Sequence, residues 1–218
     1  MNVNPFSLVG APAQATIRPD STLRRSVDFV VAALALFALT PALIAIALAV
    51  CATSRGPALY LQERVGRGGR PFRMVKFRTM VCGADRSGAL ITGKHDPRIT
   101  RLGAVLRATK ADELPQLLNV LHGDMTLVGP RPEVARYVAE YTPEEQRILR
   151  VRPGLTGPGQ LYFSADAASL DGLADPERHF VRHQLHTKVA LNLDYLLHRS
   201  VRRDVAVVLR TATWLLKH

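Results

Sequence analysis

FVVAALALFALTPALIAIALAVCA, residues Phe29 to Ala52, is the stretch that decides the fold. It carries no charge over a length sufficient for a membrane-inserted helix, which needs about 20 apolar residues. Thr40-Pro41 stands halfway along it. A proline inside a helix removes one backbone hydrogen bond and clashes with the preceding turn, so a kink or break is expected there. Arg18, Arg24 and Arg25 precede the run, and Arg55, Arg64, Arg67 and Arg70 follow it. Cationic flanks favour the cytoplasmic side, so basic residues at both ends conflict for a spanning helix and agree for a re-entrant hairpin. The reading adopted is a re-entrant membrane helix over residues 24–54, broken at Thr40 and Pro41. An ordinary kinked span is the alternative.

A cleaved signal sequence fits poorly, because the run is longer than a typical apolar signal core and 28 residues precede it. Cys51 and Cys82 set up no disulfide framework, and a reducing cytoplasm is their natural compartment. The formal net charge of +11 calls for a polyanionic neighbour: nucleic acid, an anionic membrane surface or phosphorylated substrates. Beside an apolar run, the membrane surface leads. At 218 residues the chain can hold one domain with a real core plus extensions. Residues 1–23, with Pro5, Pro12 and Pro19, read as a flexible cytoplasmic lead. Residues 55–218 read as the globular domain.

ALYLQERVGRGGRPFRMVKFRTM, Ala58 to Met80, predicts two short strands around a turn at Gly66 to Gly69, presenting cations on one face. Asp96 to Leu121 predicts two helices in succession. Thr100 caps the first, whose apolar face is Leu102, Val105 and Leu106. The second follows the adjacent carboxylates Asp112 and Glu113, with Pro115 in its first turn and Leu114, Leu117, Leu118 and Leu121 as its apolar face. Carboxylates at a helix start are favoured by the unpaired N–H groups and the positive dipole end, and a phosphate is attracted there equally. Capping is therefore one reading of the pair, and phosphate chemistry the other.

Gly123 and Asp124 then turn the chain into a short apolar piece and a rigid Pro130-Arg131-Pro132 corner. The flanking prolines restrict the backbone around Arg131 and so fix its guanidinium, which suits a phosphate ligand as well as a stiff exposed turn. Thr142 to Glu145 has a helix-start pattern. RPGLTGPGQ, Arg152 to Gln160, is a Gly/Pro loop of the kind that lines pockets. Lys188 to His218 interleaves apolar residues and Trp214 with arginines, as a cationic amphipathic helix on an anionic membrane face does; packing against the domain is the alternative.

RRSVDFVVA leading into a proline-interrupted apolar segment, then the basic hairpin, DPRITRLGAVLRATKADELPQLLNVLHGDMTLVGPRPE, RPGLTGPGQ and LDYLLHRSVRRDVAVVLRT, as an ordered set, resembles the bacterial sugar transferases that act as monotopic polyprenyl-phosphate phosphoglycosyl transferases. The match runs from Arg24 to Leu216. It implies transfer of a sugar-1-phosphate from a UDP-sugar to polyprenyl phosphate with release of UMP, as the first step of exopolysaccharide, capsule, O-antigen or glycoprotein glycan assembly.

By that resemblance Asp112 is the nucleophile that becomes a covalent phosphosugar intermediate, and Glu113 is the second carboxylate, both at a Mg2+ site. Lys76, Arg78, Arg107 and Arg131 match basic, phosphate-binding positions. Arg152, Gly154, Thr156 and Gln160 mark a substrate or nucleotide loop, and the following residues to Arg182 share in sugar selection. The chain departs from the usual pattern at Thr40, where serine is common, and at Thr109-Lys110-Ala111, where a more apolar approach with leucine is usual. The length is expected to hold the whole core without the extra spanning helices that some larger relatives carry.

The expected fold class is α/β, mostly helical: one monotopic catalytic domain with a re-entrant helix, a small basic β-hairpin and surface amphipathic helices. It is placed on the cytoplasmic face of the bacterial inner membrane, with a possible homodimer, downstream glycosyltransferases as partners and no nucleic acid. The rivals are a membrane-tethered polyanion-binding module, in which the carboxylates have no role, and an inactive scaffold of a polysaccharide assembly complex.

Overall fold

The structure, a computed structural model, describes residues 16–17, 19–84, 96–164, 173 and 175–217. Most of the expected lead, together with Arg18 and part of the segment from Leu161 to Arg182, lies outside them.

Ser21 opens the first helix by accepting from the Arg24 N–H at 3.3 Å, and α1 then runs from Thr22 to Thr53 over 32 residues. The break expected at Thr40-Pro41 is not there: Pro41 lies inside one continuous helix. A proline forfeits a single backbone donor, which is a small loss against so long a run of apolar helix formers. Thr40 instead donates its hydroxyl back to the Leu36 carbonyl at 2.7 Å, the local bond open to a helical threonine. At 1.5 Å per residue the helix rises about 48 Å, more than the ~30 Å of a bilayer's hydrocarbon.

One side of α1 is glued to the rest of the chain along its whole length. Ala32, Ala35, Leu36 and Leu39 pack on Met74, Leu117, Val120 and Met125. Further on, Leu43, Ile46, Ala47 and Val50 pack on Phe77 and Leu106. These positions recur every three or four residues, as one helical stripe must. The other side, with Val30, Leu34, Phe37, Ile44 and Leu48, is exposed. An exposed apolar face of that size marks a surface for another protein or for a membrane.

Polar bonds pin both ends of the stripe. Near its start, Arg25 donates to the carbonyls of Val120 and Leu121, the latter at 2.7 Å, and buried Asp28 accepts from the Thr126 hydroxyl. Near its end, buried Arg78 donates to the carbonyls of Val50 at 3.3 Å, Ser54 at 2.8 Å and Arg55 at 2.6 Å, and to the Ser54 hydroxyl at 2.8 Å. The last carbonyls of a helix have no partner of their own, and a guanidinium fork supplies several donors at once. Arg78 is therefore a C-terminal cap of α1, a structural role that its expectation as a phosphate ligand did not foresee.

The hairpin forms as expected. Strands β1 (Leu59–Val65) and β2 (Pro71–Phe77) are antiparallel, with Leu59 opposite Phe77 and Val65 opposite Pro71. Gly68 and Gly69 take positive φ of 69° and 75° in the turn, where a side chain would be strained. A second sheet was not anticipated: β3 (Thr126–Val128) pairs in parallel with β4 (Gly154–Thr156), which turns the first part of the expected loop into a strand. Strands of three residues are too short to show a period, and this pair depends on close approach. A Cβ on Gly154 would lie 2.1 Å from the Gly129 nitrogen.

Helix α2 (Arg101–Ala108) is capped by Thr100, which accepts from Gly103 N–H at 2.9 Å. Leu106 is buried and Leu102 half-buried, but Val105 is exposed, so that face is narrower than the sequence suggested. The carboxylate pair stands not at the start of an α-helix but in a 3₁₀ segment, Ala111–Gln116, that leads into α3 (Leu117–His122). Its inner face is Gln116, Leu117 and Val120, while Leu118 is exposed.

The remaining elements are α4 (Ala135–Val138), a 3₁₀ segment Glu145–Arg150, α5 (Pro158–Ser164), α6 (Pro176–His179), π-type turns Phe180–Leu185, α7 (His186–Leu197) and α8 (Val201–Lys217). Thr142 and Glu145 bond each other's backbone N–H at 2.8 and 3.3 Å, a capping box that bears out the helix-start pattern with 3₁₀ geometry. The main core gathers Tyr137, Ile148, Val151, Phe180, Leu185, Val189 and Leu196. Ile17 joins it, and Asp20 accepts from Arg152 and Arg199, so the described end of the lead is docked rather than loose.

Replacing Arg78 with Met leaves those carbonyls buried without donors and is expected to cost about 2 to 4 kcal/mol, a marked fall in Tm in nanodiscs. An unchanged Tm with weaker substrate binding would return Arg78 to the site.

Candidate active site

Four elements meet at the carboxylate pair. Strand β2 brings Lys76, α2 brings Arg107, the 3₁₀ segment carries Asp112 and Glu113, and the corner after β3 brings Arg131. The 3₁₀ segment is entered through Lys110, the one described non-glycine residue with positive φ, at 57°. Such a conformation costs a residue with a Cβ of order 1 kcal/mol and persists only where the surroundings impose it.

The two carboxylates have opposite circumstances. Arg131 grips Glu113 with both nitrogens, at 3.0 and 2.6 Å, and Lys76 stands 4.0 Å from it. Burial alone would raise the Glu113 pKa, but Arg131 and Lys76 outweigh it and hold the carboxyl well below the usual range. Arg131 is in turn held more firmly protonated by Glu113, against the effect of burial. Asp112 is 7% exposed, and its Oδ1 is buried with no hydrogen-bond partner. Burial pushes its carboxyl up and Glu113 adds to this, against Lys76, Lys110 and Arg107. Neither side chain caps a helix.

Around the pair the cations are positioned rather than solvated. Burial pushes Lys76 down to about 8, with Glu113 pulling the other way. Arg107 donates through Nε to the Thr79 hydroxyl at 2.9 Å. With its amide oriented to satisfy both neighbours, Gln160 accepts from Arg131 at 2.8 Å and donates to the Leu155 carbonyl at 3.2 Å. Behind Arg131, buried Glu133 binds Lys188 at 2.8 Å and Arg64 at 3.4 Å, and Arg64 also donates to the Pro132 carbonyl at 3.1 Å. The corner is therefore held by a second ionic layer as well as by its prolines.

The structure thus brings together Asp112, Glu113, Lys76, Arg107, Arg131 and Gln160. It leaves out three members of the expected loop. Arg152 donates to Gly123 carbonyl at 2.7 Å and to Asp20 at 3.3 Å, Gly154 is packed against Gly129, and Thr156 shares a hydrogen bond of 2.7 Å with Thr211 of α8. The contacts of all three lie within the fold. Sequence reasoning missed Lys110, Arg64, Glu133 and Lys188. Glu133 ends the Pro-Arg-Pro-Glu corner and was readable as its counter-charge, whereas Lys188 sits on a distant helix with no local signal.

A divalent cation fits this pair. Magnesium is held through one or two carboxylates and completes its shell with substrate phosphate and water, so it needs no all-protein cage. Among the described residues there is no cluster of three or more His, Cys, Asp or Glu. The orphaned Oδ1 of Asp112 is the kind of buried atom that a cation satisfies, while both oxygens of Glu113 are already bonded.

The family model described as bacterial sugar transferase matches residues 19–218. A UDP-glucose:undecaprenyl-phosphate glucose-1-phosphate transferase of Caulobacter vibrioides is 38% identical over 224 residues, covering 98% of this chain and 80% of that one. The exopolysaccharide production protein PSS of Rhizobium leguminosarum is 37% identical, covering 88% of this chain and 94% of its own. A UDP-N-acetylgalactosamine-undecaprenyl-phosphate N-acetylgalactosaminephosphotransferase of Aeromonas hydrophila is 35% identical across 94% of this chain and 45% of its own length.

Asp112 carries a stability cost whose sign is testable. A carboxyl whose folded pKa is raised favours the native state below its unfolded pKa and loses that contribution as pH rises through the folded pKa. Asp112→Asn is therefore expected to melt higher than wild type at neutral pH without magnesium. The gain should shrink as the buffer approaches the ordinary carboxylate value of 3.8. A lower Tm at neutral pH would show the carboxylate to be stabilising.

Proposed function

Because the chain belongs to the bacterial sugar transferase family, we propose that it transfers a sugar-1-phosphate from a UDP-sugar to polyprenyl phosphate and releases UMP, the initiating step of a surface glycan such as an exopolysaccharide. The carrying observation is the division between adjacent buried carboxylates, Glu113 clamped by Arg131 and Asp112 without a partner. A group left unpaired and desolvated at a cost is poised for chemistry rather than for structure.

Asp112 attacks the phosphorus that bears the sugar. A P–O bond to its carboxylate forms as the phosphoanhydride bond breaks, and UMP leaves. The acceptor's phosphate oxygen then attacks the same phosphorus and the Asp112 carboxylate departs, so the two displacements follow ping-pong order. An anion attacking a diphosphate is repelled, and Lys76, Arg107 and Arg131 offset that charge from fixed positions. Glu113 orients Arg131 and keeps Lys76 protonated at neutral pH, since its charge opposes the lowering by burial. Asp112, whose Oδ1 has no partner, would hold Mg2+ with Glu113 adding negative charge beside it, and the ion when bound neutralises diphosphate charge. The relatives differ in the sugar their names carry, glucose or N-acetylgalactosamine, so the sugar is a matter for assay.

Both ends of α1 are bonded to one and the same domain, through Arg25 and Asp28 at the start and Arg78 at the end. A helix crossing ~30 Å of hydrocarbon carries its ends to opposite faces, where one domain on one face cannot hold both. This supports a helix that enters and stays with the cytoplasmic leaflet of the inner membrane, with the site at the level of the lipid phosphate. Downstream glycosyltransferases would extend the lipid-linked product.

Purified chain with Mg2+, polyprenyl phosphate and a panel of UDP-sugars should release UMP with at least one sugar. Asp112→Asn should lower that rate by about 10³-fold or more, as removal of a covalent nucleophile does. Silence across the panel from folded, lipid-bound protein would favour the scaffold reading. For topology, single cysteines at Asn4 and Gly56 in a Cys51/Cys82-free background should both resist an impermeant thiol reagent outside intact cells. Labelling of one alone would establish a span.

A further inference from the structure

Between α5, α7 and α8 lies an open groove of about 820 Å³ that none of the chemistry above uses. Leu161, Leu191, Ala206 and Val207 give it apolar walls, and Arg210 and Trp214 belong to its α8 side. Two separate contacts tie it to the site. Pro158 and Leu161 of its lining flank Gln160, whose amide reaches Arg131. Trp214 stands with its ring centroid 5.9 Å from the Lys110 ammonium, and Lys110 is two residues from Asp112 and acts electrostatically on it.

The helix that walls the groove also presents an exposed apolar face. Residues 203, 206, 207, 210 and 214 of α8 line it, whereas Val201, Val205, Val208, Leu209 and Leu215 of the same helix are exposed. Asp204, in the first turn of α8, pairs with Arg24 in the first turn of α1, so the helix starts beside the point where the membrane helix begins. The groove's polar lining argues against a nucleotide: Asp194 repels a diphosphate, and Arg203 pairs with Asp194 at 3.6 Å. What remains is a largely apolar groove whose Trp214 end lies beside Lys110, two residues from the nucleophile, with cations Arg210 and Lys110 at hand for one phosphate.

Resting on the proposed reaction, we infer that this groove holds the phosphate-proximal isoprene units of the acceptor, with the lipid phosphate between Lys110 and Asp112. In the second displacement its oxygen is then delivered to the phosphorus on Asp112 from the α8 side, and the donor's uridine lies elsewhere.

Ala206→Trp fills the groove without touching the site. In nanodiscs, the acceptor-free single turnover of UMP is expected to keep its wild-type rate, while KM for a long-chain polyprenyl phosphate rises about ten-fold or more. The rise should be smaller for a ten-carbon prenyl phosphate. A slowed UMP burst, or an unchanged acceptor KM, overturns the assignment. Independently, a photoreactive benzophenone-bearing prenyl phosphate on wild-type protein should label peptides of α5 or α8, competed by unlabelled polyprenyl phosphate; labelling confined to α1 overturns it. Crosslinking needs no turnover, so failure to release UMP from any donor defeats the reaction alone and leaves the groove tested.

Discussion

The structure turns on one buried ion pair, the two-pronged contact of Arg131 with Glu113. Such a pair contributes little net stability, because desolvating two charges offsets most of their attraction, yet losing one partner strands the other at a cost of about 3 to 5 kcal/mol. Its value here is geometric. It fixes Arg131 at the end of β3 against the 3₁₀ segment that carries Asp112, and so sets the distance between the corner and the unpartnered carboxylate. Glu133, Lys188 and Arg64 extend the alternation of charge behind it, which keeps several buried ions from standing alone. The carboxylate site is thereby assembled from cations that already have anions to lean on.

The same economy governs α1. Its apolar stripe closes two of the three hydrophobic clusters, and its polar ends are satisfied by side chains of the domain rather than by water. Arg25 completes α3 by bonding its last carbonyls, while Arg78 completes α1 in the same way. Arg25 and Arg78 thus serve helix termini, whereas Arg131 is spent on the ion pair with Glu113.

Much of this was legible in the sequence because it rests on local rules. The hairpin followed from alternation around glycines, α2 from Thr100, and the approach of Asp112, Glu113 and Arg131 from a resemblance whose ordered motifs carry the site. What was not legible is decided by distance in the chain. Arg78 looks like its neighbour Lys76 in a basic strand, and only the position of Val50 and Ser54 shows that it is a cap. Arg152 and Thr156 read as pocket residues until Asp20 and Thr211 claim them. Pro41 reads as a breaker because local rules price the lost hydrogen bond but not the packing of Leu36, Leu39 and Leu43 on either side of it.

Because Ala32 and Val50 are core residues on the same helix that carries an exposed apolar face, the domain has no complete interior until α1 lies against it. The N-terminal helix leaves the ribosome first, and the surfaces it covers are made later: Met74 and Phe77, then Leu106, Leu117 and Met125. Helix α1 must therefore wait, its apolar stripe uncovered, while its partners are synthesised. Maturation is timed by chain order, and copies in which α1 fails to dock remain unfinished cores, open to proteolysis.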